Sequence, residues 1–426
     1  MSAPAPRPLG VWSATALVVG SMIGSGAFLL PASLAPYGAA SLLGWAVTLG
    51  GALLLASTFA RLAMRWPETG GPYVYARNAF GRAAGFAVAW SYWISIWCAT
   101  AAIAIAFAGS VGALVPAATA TPARAAAVAL SALWLCCAVN LRGVREAGRL
   151  QVAATVLKLL PLLLFGLVAL WFVDGARFVP FNPTPQPLPG VVHATVALTL
   201  WALLGLEAAT VPAGSIEDAS RTVPRATVVG TLVAGLATIL ACTAVLGVLP
   251  ADALAASSAP MADAATALWG RGAGVALALV MAVSCLGALN GWVLLSAQLP
   301  LAPARDGLFP SAFARLDARG TPWIGVLVGG VLASALVASN YSRSLVQVFT
   351  FSILLSTAAT LLPYLAGSAA WLVRGTGVGS RIVAALALAY SAYALLGTGA
   401  EALAWGGVLL FAGVPVYVAM IRRARR

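Results

Sequence analysis

The stretch Gly20-Ser21-Met22-Ile23-Gly24-Ser25-Gly26 sets three glycines within seven residues at the middle of a long apolar segment, 9–34. In hydrocarbon a plain helix would carry Leu, Ile or Val there, and each interior glycine costs roughly 1 kcal/mol relative to alanine. The stretch therefore predicts an interruption at which the backbone leaves helical geometry and frees N–H and C=O groups. A second candidate interruption, Gly205-Leu206-Glu207, follows Trp201 about halfway along the apolar segment 190–212. A plainer reading stays open, because Gly20-x-x-x-Gly24 also fits a small-residue contact between packed helices. The matching break five apolar segments later favours two broken helices whose freed groups meet near the bilayer midplane.

Working outward from these breaks, apolar segments of about twenty residues recur along the chain, each long enough to cross roughly 30 Å of hydrocarbon. They fall at 9–34, 38–60, 83–112, 125–141, 150–173, 190–212, 227–249, 273–300, 322–340, 346–372, 382–398 and 403–421. The expectation is an all-α membrane protein of twelve transmembrane helices forming one domain, 1–426. Residues 9–173 and 190–372 would be two inverted five-helix repeats, each opening with a broken helix, and 382–421 would supply two C-terminal helices. No residue-level identity links the halves, so the repeat rests on hydropathy and break positions. With 62% hydrophobic and 8% charged residues, the composition excludes soluble globular classes. The first segment does not read as a cleavable signal, since its only basic residue is Arg7, its core is too long and further spans follow.

A net charge of +13 invites a nucleic-acid reading, but the positions of the basic residues argue for topology instead. Of 24 Lys and Arg, 19 fall on one face of the expected bundle, from Arg7, Arg61, Arg65, Arg77 and Arg82 through Arg142, Arg145 and Arg149 to Arg422, Arg423, Arg425 and Arg426. Arg124, Arg177, Arg271 and Arg343 face the other way. Positive loops stay cytoplasmic, so both termini are expected inside a bacterial-type inner membrane. Two ionisable residues remain deep in spans, Glu207 and Lys158. Such groups are expensive in lipid and are functional candidates by default. Glu207 has a structural alternative as a carboxylate tying down loose donors at the break. Lys158 has another, a snorkelled side chain about 12 Å along a helix entered from the cytoplasm. The five cysteines, Cys98, Cys136, Cys137, Cys242 and Cys285, read as small core residues.

At these residues the chain resembles the amino acid, polyamine and organocation transporter superfamily, and within it the bacterial arginine/agmatine antiporter branch. The resemblance runs nearly end to end. It is carried by Gly20–Gly26 with Phe28-Leu29-Leu30-Pro31, by Gly70-Gly71-Pro72-Tyr73-Val74-Tyr75-Ala76-Arg77, and by Thr199-Leu200-Trp201-Ala202-Leu203-Leu204-Gly205-Leu206-Glu207. Cys285-Leu286-Gly287-Ala288-Leu289-Asn290-Gly291-Trp292 and Asp306-Gly307-Leu308-Phe309-Pro310 add to it. It implies substrate contacts at Met22, Gly24, Ser25, Gly26, Ser95, Ile96, Thr100, Trp201, Leu204, Trp292 and Ser356. It implies gating or coupling roles for Tyr92, Glu207, Tyr364 and Lys158. A cation over the Trp292 indole would gain up to about 2 kcal/mol when desolvated. Two departures weigh against simple transfer of the substrate. Thr100 stands where the arginine/agmatine branch uses an asparagine, and Lys158 stands where proton-coupled and neutral amino-acid members carry a lysine.

The expected function is exchange of a cationic amino acid for its decarboxylated amine by alternating access, arginine for agmatine being the nearest pair. A proton-coupled permease of broader or neutral specificity is the alternative. No cofactor, metal or nucleic acid is expected; the partners are amino acids, amines, protons under the alternative, and lipid, with homodimerisation left open. A membrane enzyme is the rival from another class, through a Ser25 and Lys158 dyad. The single histidine, His193, supports neither a zinc pair nor a Ser-His-Asp set. A channel would need filter motifs or charge rings that the sequence lacks.

Overall fold

The computed structural model describes residues 10–68, 70–142, 148–210, 216–317, 320–339 and 343–424, with the side chains of Ser25, 148–154 and Ala424 left aside. Arg7, Arg145, Arg319, Arg425, Arg426, the Ser25 and Arg149 side chains, and the end of segment 190–212 therefore lie outside the described residues. Everything described is helical or irregular. The first apolar segment is divided into α1, Val11–Met22, and α2, Ser25–Leu34. Then come α3, Ser41–Arg65; α4, Pro72–Phe80; α5, Arg82–Leu114; α6, Pro122–Leu141; and α7, Gly148–Ala169. The second half opens with α8, Leu188–Trp201, and continues with α9, Ala219–Val248; α10, Ala251–Ala256; α11, Pro260–Trp269; α12, Arg271–Gln298; and α13, Leu301–Arg305. It ends with α14, Trp323–Ser339; α15, Leu345–Arg374; α16, Val378–Leu396; α17, Gly399–Phe411; and α18, Gly413–Ala424.

Among the described residues, nine helical stretches are long and apolar enough to cross a membrane, and α8 and α14 are shorter apolar helices. The first stretch, Val11–Arg65, runs for 55 residues, far more than one crossing needs, and contains α1, α2 and α3. Helix α9 begins at Ala219, eight residues before the expected 227. Its first turns carry Arg221 and Arg225, which a hydropathy reading assigns to a loop although the backbone is already helical. The expected last span, 403–421, is divided at Ala412 into α17 and α18.

Helix α5 is the axis of the bundle. Its 33 residues rise about 50 Å, and 89% of its most apolar window is buried, against 11% for the window covering α17 and α18. It packs on α12, α15, α6 and α4. Its central turns read Ser95-Ile96-Trp97-Cys98-Ala99-Thr100-Ala101-Ala102, a run of mostly small side chains that lets neighbours approach closely. With no solvent to drive helix association, polar contacts fix the pairs. Ser91 Oγ donates to Ala359 O at 2.6 Å and joins α5 to α15; Trp93 Nε1 donates to Ser296 O at 3.0 Å and joins α5 to α12. Asn140 Nδ2 donates to Asn290 Oδ1 at 2.9 Å and holds α6 on α12. Thr48 and Thr199 hydroxyls, 2.6 Å apart, join α3 to α8.

Glycine also sets how closely helices approach. A methyl group at Gly325 on α14 would stand 2.7 Å from Ala297 Cα and 2.8 Å from Ala297 O on α12, backbone atoms that cannot turn aside. One at Gly50 on α3 would meet nothing within 4 Å. Gly325→Ala is therefore expected to destabilise the protein by about 1–3 kcal/mol through overpacking. Gly50→Ala is expected to be neutral or stabilising by up to about 1 kcal/mol. Thermal unfolding of both variants in detergent checks the contrast, and equal shifts in the same direction would contradict it.

Candidate substrate site

Helix α1 ends at Met22, where Ile23 turns to extended dihedrals (φ −80°, ψ 103°), and α2 starts after Gly24 (φ −149°, ψ −136°). No side chain caps α2 at Gly24, so the first N–H groups of α2 open into the gap. The second interruption follows Trp201, the last residue of α8. From Ala202 to Glu207 the chain is a run of turns: Leu203 N–H donates to Leu200 O at 2.9 Å, and Ala208 N–H donates to Gly205 O at 2.9 Å. Gly205 sits at φ +97°, a conformation that a β-carbon would strain.

These two interruptions lie against each other. A methyl group at Gly205 would stand 3.0 Å from Ser21 Cβ, and one at Gly26 would stand 3.1 Å from Cδ1 and Nε1 of Trp201. Gly26 therefore gives the Trp201 indole its seat, and Gly24 faces Ala288 of α12, its added methyl 3.5 Å from Ala288 Cβ. Of the residues expected to contact substrate, Met22, Gly24, Gly26, Trp201 and Leu204 are thus gathered at the breaks, all buried. The Ser25 side chain lies outside the described residues.

Beside the breaks, α5 presents Tyr92, Ser95, Ile96 and Thr100, Ser95 and Ile96 lying three and four residues after Tyr92 and Thr100 four after Ile96, on one helix face. All four are buried. Helix α15 presents Ser356 and Tyr364, eight apart on one face, and Ser356 Oγ donates to Ser95 O at 2.8 Å. Ser95 Oγ donates to Tyr92 O at 2.9 Å, and Thr100 Oγ1 donates to Ile96 O at 2.8 Å. Thr100 therefore has its hydrogen engaged, and among the described residues nothing donates to its lone pairs. Trp292 lies on α12, half-buried and two residues past the Asn290 anchor, and it contacts no other ring among the described residues.

Glu207 is 1% exposed and receives both tyrosine hydroxyls: Tyr364 donates to Oε2 at 2.6 Å, and Tyr92 donates to Oε1. One carboxyl thereby joins α5, α15 and the break after α8. The partners are 115 and 157 residues away from it in the chain. Lys158, on α7, is also inside the bundle, at 5% exposure and not snorkelled. Three residues earlier on the same helix face, Thr155 Oγ1 donates to Ala16 O of α1 at 2.9 Å. A methyl group at Gly287 would stand 3.9 Å from Lys158 Cε, so Lys158 and Gly24 both meet the Cys285–Ala288 turn of α12. Among the described residues the ammonium has neither an ion pair nor a hydrogen bond. His193 stacks on Tyr393 with centroids 4.5 Å apart and bonds Tyr393 O at 2.8 Å, remote from the breaks.

A further polar cluster went unassigned in the sequence, although Tyr73, Arg77 and Asp306 of it stand in two of the stretches that carry the resemblance. Asp306, just after α13, accepts from the Tyr73 hydroxyl and from Arg77 Nη1 at 2.5 Å, and its carbonyl accepts from Arg82 Nη2 at 3.2 Å. Arg77 also bonds Glu68 at 3.2 Å, and its guanidinium lies 5.3 Å above the Tyr73 ring. This cluster fastens α4 to the segment after α13, outside the spans. Burial and then the Asp306 carboxylate hold the Tyr73 hydroxyl above its usual range. For Arg77, burial opposes the charge, but Tyr73 and Asp306 outweigh it and raise its pKa.

Tyr92→Phe and Tyr364→Phe each remove one donor from the buried Glu207 carboxyl. Each is expected to lower stability by about 1–3 kcal/mol, the penalty for an unsatisfied buried acceptor. Thermal unfolding in detergent measures it, and wild-type stability in both variants would show that the hydroxyls do not hold the carboxyl.

A profile of the amino acid permease family matches residues 9–421. The chain is 32% identical over 452 residues to a Bacillus subtilis (strain 168) protein named "Putative arginine/ornithine antiporter", covering 96% of each chain. It is 31% identical over 428 residues to the putrescine transporter PotE of Escherichia coli (strain K12), covering 98% of this chain and 97% of the relative. It is 33% identical over 332 residues to the cadaverine/lysine antiporter of the same strain, covering 78% of this chain and 74% of the relative.

Proposed function

Because the chain belongs to the amino acid permease family, we propose that this multi-pass membrane protein is a secondary transporter exchanging a cationic amino acid for an amine by alternating access. The observation that carries the reading is the meeting of the two breaks, with Gly26 seating Trp201 and the Tyr92, Glu207 and Tyr364 closure beside them. The uncapped N-terminus of α2 suits a substrate carboxylate, and the carbonyls ending α1 and α8 suit its α-ammonium. Both Glu207 oxygens are engaged, so the side-chain cation is met by the faces of Trp201 and Trp292 and by the free lone pairs of Thr100. That chemistry accepts an alkylammonium as readily as a guanidinium. The names of the three relatives span arginine, ornithine, lysine, putrescine and cadaverine, and arginine with agmatine is one pair within this class.

The working unit we infer is twelve spans, with 9–173 and 190–372 as inverted repeats and 382–421 as two added helices, both termini in the cytoplasm. Helix packing supports it. Under that symmetry α1 corresponds to α8, α3 to α9, and α7 to α15. The contacts of α1 with α9, of α7 with α9 and of α1 with α7 have counterparts in those of α8 with α3, of α15 with α3 and of α8 with α15. Alternating access then consists of rocking around the paired breaks. Energy comes from solute gradients.

Counterflow in proteoliposomes tests the function: liposomes loaded with agmatine, putrescine or cadaverine should take up labelled arginine, ornithine or lysine, and protein-independent uptake for every pair would refute it. Trp292→Ala is expected to raise the Kd for a cationic substrate about tenfold, and Trp292→Phe by less because a smaller π face remains. Unchanged affinity in both, with protein well folded, removes Trp292 from the site.

A second reading has its own observation. Lys158 is buried beside the α12 turn that faces Gly24, with no counter-charge among the described residues. A proton on that amine favours the arrangement that solvates it best, and a group whose two states stabilise the inward and outward forms differently couples the proton to transport. Under this reading Lys158→Ala abolishes uptake driven by an imposed proton gradient and leaves exchange intact. Equal behaviour of the two proteins in both assays leaves exchange alone.

A further inference from the structure

A cavity of about 930 Å³ lies at the end of the bundle that the charge bias assigns to the outside. It is enclosed by α2, the turn bearing Tyr37, α8, α15 and the turn between α16 and α17. Its lining includes Leu198, one turn before Trp201 on α8, and Leu354, two residues before Ser356 on α15, so along these helices it comes within about one turn of the site beside the paired breaks. Ser33 and Thr350 line it too, their hydroxyls 2.7 Å apart across α2 and α15.

The chemistry at its mouth is that of a cation site. Among the described residues, Glu401, in the first turn of α17, is the one acidic side chain in its lining. Phe351 presents a ring face beside it. The guanidinium of Arg343 occupies the place between them, with Nη2 3.1 Å from Glu401 Oε1 and Cζ 5.4 Å from the Phe351 ring centroid. A carboxylate on one side of a cation and an aromatic face on the other is the pairing that would recognise an arginine side chain or an amine. Arg343 is 41% exposed and Glu401 55%, so water competes for both and the pair is weakly held. Arg343 also lines a second cavity of about 220 Å³ next to α6, which offers its side chain another place to lie.

We propose that this vestibule is a first station for the cationic substrate, bound by Glu401 and Phe351, and that Arg343 is its tethered competitor. The inference rests on the reading of the protein as a carrier of cationic amino acids and amines. An incoming guanidinium or ammonium displaces Arg343 toward the smaller cavity, and the cation is then one short step above Trp201. In the empty vestibule Arg343 neutralises Glu401, so small inorganic cations meet no bare carboxylate. The arrangement also gives the outer face a lower affinity for cations than the same residues would have with Arg343 removed.

The test uses full-length protein in proteoliposomes and varies external arginine and putrescine separately from internal substrate. Glu401→Gln should raise the external KM for both about threefold to tenfold, the range of one exposed charge-and-ring contact. Arg343→Gln should lower it by a similar factor, and neither variant should move the internal KM. Unchanged external KM in both variants, with exchange intact, overturns the vestibule and leaves the carrier reading standing. A second measurement does not depend on transport. In detergent, equilibrium binding of labelled arginine and putrescine to Trp292→Ala should retain a weak, salt-sensitive component that Glu401→Gln removes. Absence of that component, or its indifference to Glu401→Gln, rejects the proposal. Absence of counterflow in the wild type with the component present rejects the carrier reading alone.

Discussion

Hydrocarbon offers no hydrogen bonds, so a membrane-spanning chain that leaves helical geometry must bring its freed backbone groups to protein or to a polar cavity. The bundle is organised around that constraint. Ile23–Gly24 and Ala202–Glu207 are two such departures, and they lie against each other with Ser21 beside Gly205 and Trp201 beside Gly26. Glycine serves at Gly26 and Gly205 because the other backbone passes close there, an added β-carbon standing 3.1 Å from Ala202 Cα at Gly26 and 3.3 Å from the Ser21 carbonyl carbon at Gly205. The long axis of α5 and the faces of α12 and α15 then wall the breaks off from lipid.

The polar side chains inside the bundle follow from the same rule. Thr48 pairs with Thr199, Asn140 with Asn290, Ser356 with Ser95 O and Thr155 with Ala16 O; each ties two helices and satisfies a buried group in one contact. Glu207 is the extreme case, a carboxyl taken out of water and held by two phenol hydroxyls on different helices. Its engagement has a chemical consequence for the site. Under the proposed function, with no free carboxylate beside the breaks among the described residues, selectivity for a cation would fall to aromatic faces and lone pairs, which tolerate changes of length and head group better than a fixed salt bridge does. The similarity to proteins named for arginine, ornithine, lysine and their amines fits a site of that kind.

Apart from the buried Glu207 and Lys158, charge among the described residues is gathered at the ends of the bundle, part of it in ion pairs. The Asp306 cluster with Tyr73, Arg77 and Glu68 fastens one end, and Arg343 with Glu401 stands at the other. These exposed pairs are worth little as stability, about 0–1 kcal/mol each. Under the proposed alternating access they would be easily exchanged, since a contact that breaks at small cost can open and close as helices rock.

Much of this architecture was legible in the amino-acid sequence, because a bilayer imposes its conditions segment by segment. A span must be long enough and apolar, a glycine-rich stretch within it must break, and a charge within it must matter; the positions of both breaks, of Trp201 and Glu207, and of Lys158 as a buried anomaly all follow from such local conditions. Helix starts were less legible where charged turns precede the apolar part, as at Arg221 and Arg225 of α9. What only the tertiary structure decided is which side chains meet. An apolar residue facing lipid and one facing a neighbouring helix look alike in sequence, so nothing local distinguishes the face of α5 that carries Tyr92 from its others. The donors to Glu207, the turn of α12 against Lys158, the anchor of Asp306 and the seat of Arg343 between Glu401 and Phe351 join residues far apart in the chain. They are set by how closely glycine and small residues let the helices approach, a property of pairs of surfaces and not of any one segment.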